Sequence, residues 1–292
     1  MSEIKEKLAA LKEKTRLEGL KAQSEAEEKR KRAENPFYDV EIKDVDFLVE
    51  NTSEPEFWET DTVIDSLTGC GLSKKSLTIL IGGTGDGKSL LLTHLASKMS
   101  NKRKILYISF ENTNEIDSTR FKDCTQIYED MNMNNITYVN ILEEELKGKF
   151  KWQTSYFRKL IFEEHCDYDV ICVDAIQTTI DAVEQDEIHR VGNVLMKELY
   201  KIALTSGLPI FLTWQSARTA SLRKMNDITL DDISGSYGTA RYCTEAFFIK
   251  RDIETHSRKL KLLKTRGSKN ARWDDPIIDL ELSLRFSVEK IF

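Results

Sequence analysis

Residues 77 to 99 read LTILIGGTGDGKSLLLTHLASKM. Leu77 to Ile81 form an apolar, β-branched run with the composition of a strand buried on both faces. The next eight residues, Gly82, Gly83, Thr84, Gly85, Asp86, Gly87, Lys88 and Ser89, fit GxxxxGK[ST] in full. Residues 88 to 100 then carry apolar positions at helical spacing. A strand, a glycine-rich turn and a helix, in that order, are the context in which this pattern has a mechanism. Glycines let backbone N–H groups turn inward on a phosphate with no Cβ in the way, and the helix N-terminus adds its dipole. Lys88 is placed to reach the β- and γ-phosphates of ATP, and the Ser89 hydroxyl to ligate Mg²⁺.

Outward from this segment the pattern repeats. KILYISF (104 to 110), TYVNI (137 to 141), DVICVD (169 to 174) and PIFLTW (209 to 214) read as further buried strands. Between them, residues 88 to 100, about 153 to 165 and 187 to 205 have the helical spacing of crossover connections in a parallel sheet. The class is α/β, a mostly parallel sheet flanked by helices on both faces. After residue 240 the alternation lapses into three strand-like runs, EAFFIKRD, RKLKLLKTR and IDLELSLRFSVE, expected as an antiparallel extension at the C-terminal edge.

Mg²⁺ needs a second oxygen ligand, and Asp174, closing YDVICVD, is the candidate, on a strand expected to end beside the phosphate loop. Hydrolysis needs a base for the attacking water. Glu111 follows Lys88 by one helix and one strand, the spacing of a carboxylate at the carboxyl edge of the adjacent strand, where ligands collect in open α/β sheets; on spacing alone it also fits a solvated loop acid. Gln215 ends PIFLTWQ at the same edge; its amide either bonds the γ-phosphate or merely caps the strand.

The ends of the chain are less committed. Residues 1 to 34 hold ten Lys or Arg and eight Asp or Glu, with Ile4, Leu8, Leu11, Leu17 and Leu20 as a narrow apolar stripe. They read as an N-terminal helical extension, 1 to 36, stopped near Asn35-Pro36 and either docked on a neighbour or solvated; residues 37 to 292 form the domain proper. No apolar run approaches the roughly 20 residues of a membrane span, and the charged start is unlike a signal peptide, which implies a cytoplasmic protein without a membrane partner. Five cysteines with no CxxC spacing and four scattered histidines suggest neither a disulfide framework nor a zinc site. Cys172 reads as a small core residue, and His165 beside Cys166 as no catalytic pair, because adjacent side chains point apart. A net charge of −6 argues weakly against general coating of nucleic acid but says nothing of local patches.

Taken together these residues resemble the RecA-like motor core of the DnaB-type replicative helicases, including those of phages. LYISFE is similar to the strand ending in the family's catalytic glutamate, here Glu111, with Asn112 where Met is usual. VDAIQ is similar to the Walker B segment, with Asp174 and Gln177. WQSAR resembles the sensor segment, which makes Gln215 a phosphate sensor and Arg218 the start of a DNA-facing loop. Asp232 to Asp252 resembles the DNA-binding loop and the strand after it, with Ser234, Gly235, Ser236 and Tyr237 where Arg-Glu-Ser-Gly is usual; backbone contacts to phosphate remain open there, and Tyr237 either stacks on a base or is buried. LLKTRG matches a Lys-x-Arg pair, so that Lys264 and Arg266 reach the ATP of a neighbouring subunit, whereas the charge count alone, nine positive against two acidic from Lys250 to Arg272, also fits a solvated hairpin.

The resemblance covers about residues 60 to 290 and implies a RecA-like P-loop NTPase that uses ATP and Mg²⁺. It implies an ATP-dependent DNA helicase, a homo-oligomeric ring, expected as a hexamer, on single-stranded DNA, with a primase or a helicase loader as further partners and a host cytoplasm if phage-encoded. Two other readings share the motifs. One is a RecA-class recombinase forming filaments on DNA, disfavoured by the Lys-x-Arg pair. The other is an assembly ATPase indifferent to DNA, for which the net charge and the missing loop arginine at Ser234 speak.

Overall fold

The computed structural model describes residues 56–146, 167–175, 185–233, 237–252, 257–266, 271–274 and 276–280, Lys159, Thr255 and part of 13–30. The chain divides into two units, Met1–Glu54 and Pro55–Phe292. In the first, the described residues between 13 and 30 are helical, with Leu17 and Leu20 exposed. The expected stop at Asn35-Pro36 lies outside the described residues.

In the second unit a short pair, β1 (Phe57–Trp58) and β2 (Leu72–Ser73), flanks helix α1 (Val63–Thr68). Then follow β3 (Leu77–Gly82), α2 (Lys88–Met99), β4 (Ile105–Ser109), α3 (Asn114–Ile127), β5 (Ile136–Asn140), α4 (Ile141–Leu146), β6 (Val170–Asp174), α5 (Gln185–Ser206) and β7 (Ile210–Gln215). Short 3-10 turns occupy Arg218–Leu222, Met225–Asp227 and Leu230–Asp232, and α6 (Tyr237–Tyr242), β8 (Glu245–Arg251), β9 (Arg258–Lys264) and β10 (Ile277–Leu280) complete the described order.

Eight strands form one sheet in the order β10-β9-β8-β3-β7-β6-β4-β5. The six from β8 to β5 are parallel and β9 and β10 antiparallel, so two of the three runs expected in the edge extension form it, whereas EAFFIKRD, as β8, pairs in parallel with β3. The continuous apolar runs arise because both faces are covered. Along β3, Leu77, Ile79 and Ile81 pack on one side with Leu195, Met196 and Leu199 of α5, while Leu80 packs on the other with Leu91, Leu92 and Leu95 of α2. Cys172 is fully buried in the second of these layers, and burial pushes its thiol pKa up.

Two expectations change, and one helix was not expected. TYVNI shifts by one residue, because the Asn140 side chain accepts the Glu143 amide at 2.9 Å and starts α4 at Ile141. Helix α3 carries its buried stripe on Asp117, Phe121 and Cys124, a helical spacing whose first member is charged and so does not read as apolar. Strand order also differs from succession. β3 is bonded to β7 and β8; the strand of Asp174 lies beyond β7, and that preceding Glu111 lies beyond β6. Neither is adjacent to β3, because β7 returns between β3 and β6. Of the expected helix at 153 to 165 only Lys159 is described, and it is helical; the pair His165 and Cys166, and Gln177, lie outside the described residues.

Candidate nucleotide site

The phosphate loop turns at positive φ twice, at Gly85 (83°) and Gly87 (102°), conformations that L side chains rarely adopt. A Cβ on Gly82 would stand 2.6 Å from the Ile249 carbonyl oxygen, so β8 also requires a glycine there. Asp86 fixes the turn: one carboxylate oxygen accepts the Gly83 amide at 2.6 Å and the other the Arg251 amide at 3.2 Å. Arg258 of β9 donates Nε to the Asp86 carbonyl at 3.1 Å. Among the described residues the amides of Thr84, Gly85 and Gly87 find no acceptor, which leaves donors available at a helix N-terminus, the kind of place that suits an anion.

Lys88 is buried, and its ammonium donates to the Gly83 carbonyl at 2.9 Å and the Gln215 Oε1 at 3.2 Å. Burial lowers its pKa, while the charges of Glu111, Asp86 and Asp174 oppose that shift. Gln215 also donates Nε2 to Thr84 Oγ1 at 2.7 Å. Its amide therefore touches the phosphate loop at two points.

Helix α2 crosses the sheet and packs on β3, β7, β6 and β4, which carries Ser89 past β7 to Asp174. Ser89 Oγ donates to Asp174 Oδ1 at 2.9 Å, and Thr213 Oγ1 to the same oxygen at 2.7 Å. Asn112 Nδ2 donates to Oδ2 at 3.0 Å, and Arg120 Nη1 stands 3.9 Å from it. Complete burial pushes the Asp174 carboxyl up to about 6 against the hydrogen bonds from Thr213 and Ser89, which lower it. The Ser89 hydroxyl and the Asp174 carboxylate are two hard oxygen donors at one point, the type Mg²⁺ takes, so these residues fit the ion and the loop fits a nucleotide phosphate.

Glu111 is exposed, in the bend after β4, and close enough to act on the Lys88 charge. Arg218 is exposed at the start of the first 3-10 turn. Ser234, Gly235 and Ser236 lie outside the described residues, and for Tyr237 only the backbone is described, as the start of α6. Lys264 and Arg266 are remote from their own phosphate loop. Lys264 pairs with Ala246, level with Ile79 and short of Gly82, whereas the loop end of β9 is Arg258. Lys264 Nζ donates to the carbonyls of Ala240 (2.6 Å) and Cys243 (2.7 Å), and Arg266 Nη2 to that of Arg241 (2.6 Å). The pair converges on the C-terminal end of α6.

Several partners had no sequence signal. Thr213 is one, although its place two residues before Gln215 puts both on one side of β7. Another is the network behind Asp174: buried Asp117 accepts Arg120 Nη1 and Tyr138 Oη, each at 3.0 Å, and Asn140 Nδ2 donates to the Asn112 carbonyl at 2.9 Å.

This sheet order and phosphate loop define a RecA-like P-loop NTPase fold. The family described as AAA domain matches residues 50–221, and the chain belongs to it. DNA repair protein RadA of Streptococcus pyogenes serotype M6 is 24% identical over 186 residues, 63% of this chain and 36% of RadA; RadA of Bacillus subtilis strain 168 is 26% identical over 177 residues, 60% and 35%. The chain thus spans about a third of the length of the curated relatives it matches. Among solved structures it is similar to a KaiC-like protein of Pyrococcus horikoshii (TM-score 0.55, 14% identity, 78% of this chain and 96% of that one). The flagellar accessory protein FlaH of Methanocaldococcus jannaschii (0.50, 18%, 74% and 89%) and a structure solved as an ATPase domain (0.55, 13%, 80% and 90%) are also similar. At these identities the likeness is one of fold. No helix among the described residues is long and apolar enough to cross a membrane.

Proposed function

We propose that the chain is the motor of a DnaB-type DNA helicase, a ring of identical subunits that moves along single-stranded DNA by hydrolysing ATP at their interfaces. The observation that carries this reading is Gln215, whose amide touches Lys88 and Thr84 while its strand runs straight into the loop begun by Arg218. Loss of a γ-phosphate at Lys88 then moves Gln215, and with it the loop.

In this mechanism the loop amides and Lys88 hold the triphosphate, while Ser89 and Asp174 would hold Mg²⁺, which would supply neutralisation of phosphate charge. Thr213 and Asn112 keep the Asp174 carboxylate oriented. Glu111 takes a proton from the attacking water. Lys264 at the far end of β9 and Arg266 just beyond it, remote from their own site, serve the site of the next subunit, and Arg218 with the segment Ser234 to Tyr237 faces the DNA phosphates. A primase or loader would act on the assembled ring.

A RecA-class recombinase is the second reading, favoured by the relatives named DNA repair protein. Electron microscopy with single-stranded DNA and a non-hydrolysable ATP analogue, alongside ATPase rates with and without DNA, separates the readings. Closed rings with DNA-stimulated hydrolysis are expected. Continuous filaments would give the recombinase, and indifference to DNA in both readouts would leave an assembly ATPase.

A further inference from the structure

The hairpin β8–β9 meets the loop after Gln215 in an unusual way. Lys250 of β8 points its ammonium at three main-chain carbonyls, those of Ala220 (3.5 Å), Ser221 (3.0 Å) and Arg223. Lys261 of β9 does the same to Met225 (3.2 Å), Asn226 (2.7 Å) and Ile228 (2.8 Å). These carbonyls lie in and just after the 3-10 turns Arg218–Leu222 and Met225–Asp227, where carbonyls point out of the turn and a cation is favoured; those of Ala220 and Met225 also accept the amides of Arg223 and Ile228. An ammonium has three donors, and each lysine has three acceptors before it. Lys264 repeats the arrangement at the end of α6. One hairpin thus caps three of the four described helical turns between Gln215 and its own first strand.

The same hairpin holds the phosphate loop from the other side, through Arg258 on the Asp86 carbonyl and the Arg251 amide on the Asp86 carboxylate. The base of the loop is closed as well: Ser216 bridges to Ile233, and the Ala217 amide donates to the Asp232 carbonyl at 2.7 Å. The segment 216–233 can therefore shift as a body, but not apart from the hairpin while both lysines hold.

We propose that Lys250 and Lys261 are positioning residues that staple the loop after Gln215 to the β8–β9 hairpin, so that a change of nucleotide at the phosphate loop moves loop and hairpin as one unit. Its consequence for DNA rests on the motor reading above; the staple itself does not. Because β9 ends in Lys264, the unit also links the phosphate loop of one subunit to the residues that serve its neighbour.

The test uses Lys250→Met and Lys261→Met, singly and together, in the full chain, with Lys→Arg at each position as the conservative control. Hydrogen exchange is followed with and without Mg²⁺ and a non-hydrolysable ATP analogue, and ATPase rate with and without oligo(dT). The amides of Ala220 and Arg223 close the first turn, and those of Asp227 and Ile228 the second. Lys250→Met is expected to speed exchange about tenfold at the first pair alone and Lys261→Met at the second alone, the factor carried by a charged hydrogen bond. Such selectivity is not produced by general destabilisation, so the single variants decide the matter even if the double variant fails to fold. In the double variant the nucleotide response of the hairpin amides is lost and stimulation by DNA falls about tenfold, while turnover without DNA stays within about twofold. Arginine is expected to restore most of both. Unchanged loop exchange in the single variants overturns the staple, and a hairpin that still answers nucleotide in the double variant overturns the relay. If wild-type ATPase ignores oligo(dT) but the hairpin response still depends on the two lysines, the motor reading fails and the relay stands.

Discussion

Replacing Glu245 by Gln tests how the sheet tolerates a carboxylate far from the phosphate loop. Glu245 starts β8, is 1% exposed, and lies between the hydroxyls of Thr244 (2.6 Å) and Thr78 (3.2 Å). Burial pushes its carboxyl from 4.5 up to about 7, opposed by those two hydrogen bonds and by the charges of Lys264 and Arg266. The folded protein therefore binds the proton more tightly than the unfolded chain. Stability from this group is fully present below pH 4.5 and is lost as pH rises through about 7. A shift of this size, at about 1.4 kcal/mol per pH unit, is on the order of 3 kcal/mol. Glu245→Gln keeps the shape and an acceptor for the threonines but cannot ionise, so at pH 8 the variant should be the more stable by that order, with the gap closing toward pH 5. Urea unfolding of both proteins at fixed concentration, from pH 5 to 8, reads the gap directly, and titrating groups not coupled to Glu245 cancel in the difference. A gap that does not change with pH would refute the reasoning, because desolvation of a charge is its only source.

Three further outcomes follow. Glu111→Gln should bind ATP with near-normal affinity and lose hydrolysis by about 10²- to 10⁴-fold, the usual weight of a general base; turnover at the wild-type rate would remove Glu111 from that role. Chains carrying Arg266→Ala and chains carrying Lys88→Ala, each inactive alone, should recover some hydrolysis on mixing, since mixed interfaces pair an intact phosphate loop with an intact Arg266, and total absence of rescue counts against action between subunits. His94, its Nδ1 3.1 Å from Tyr128 Oη, is lowered from 6.5 to about 4 by burial and the Arg258 charge. The unfolded chain then takes up a proton that the folded one refuses, so stability falls as pH drops from 6.5 toward 4, by on the order of 3 kcal/mol in all, and His94→Gln should flatten that limb of an acid unfolding curve.

What could be read from residues alone was whatever depends on local pattern. The strands were legible because a parallel sheet covered on both faces leaves a continuous apolar run, as in LTILI and DVICVD. The phosphate loop was legible because its pattern sits between a strand and a helix. Helix α3 was not, since its inward stripe begins with Asp117, whose charge is matched by Arg120 and Tyr138 only in three dimensions. Asn112 stood out as a departure from the helicase pattern, but its bond to Asp174 depends on β4 lying beside β6. The basic hairpin is the clearest case of a pattern with two readings. Counted as charge, Lys250, Lys261 and Lys264 belong to a solvated surface. Placed in the fold, each ammonium meets main-chain carbonyls of the chain itself.

Strand order carries the remaining argument. Succession along the chain suggested that Glu111 and Asp174 sit on strands next to the phosphate loop, yet β7 lies between β3 and β6. That insertion places Thr213 and Gln215, two residues apart and so on one side of β7, where one bonds Asp174 and the other bonds Lys88 and Thr84. A single strand therefore meets both halves of the nucleotide site: the carboxylate suited to Mg²⁺ and the lysine suited to phosphate. Had β6 adjoined β3, the two halves would touch each other directly, with no element between them leading out of the site. With β7 in the middle, any change in their spacing acts on a strand whose next residues are the stapled loop. On the proposed reading, that is why the sensor glutamine belongs to β7 and to no other strand of the sheet.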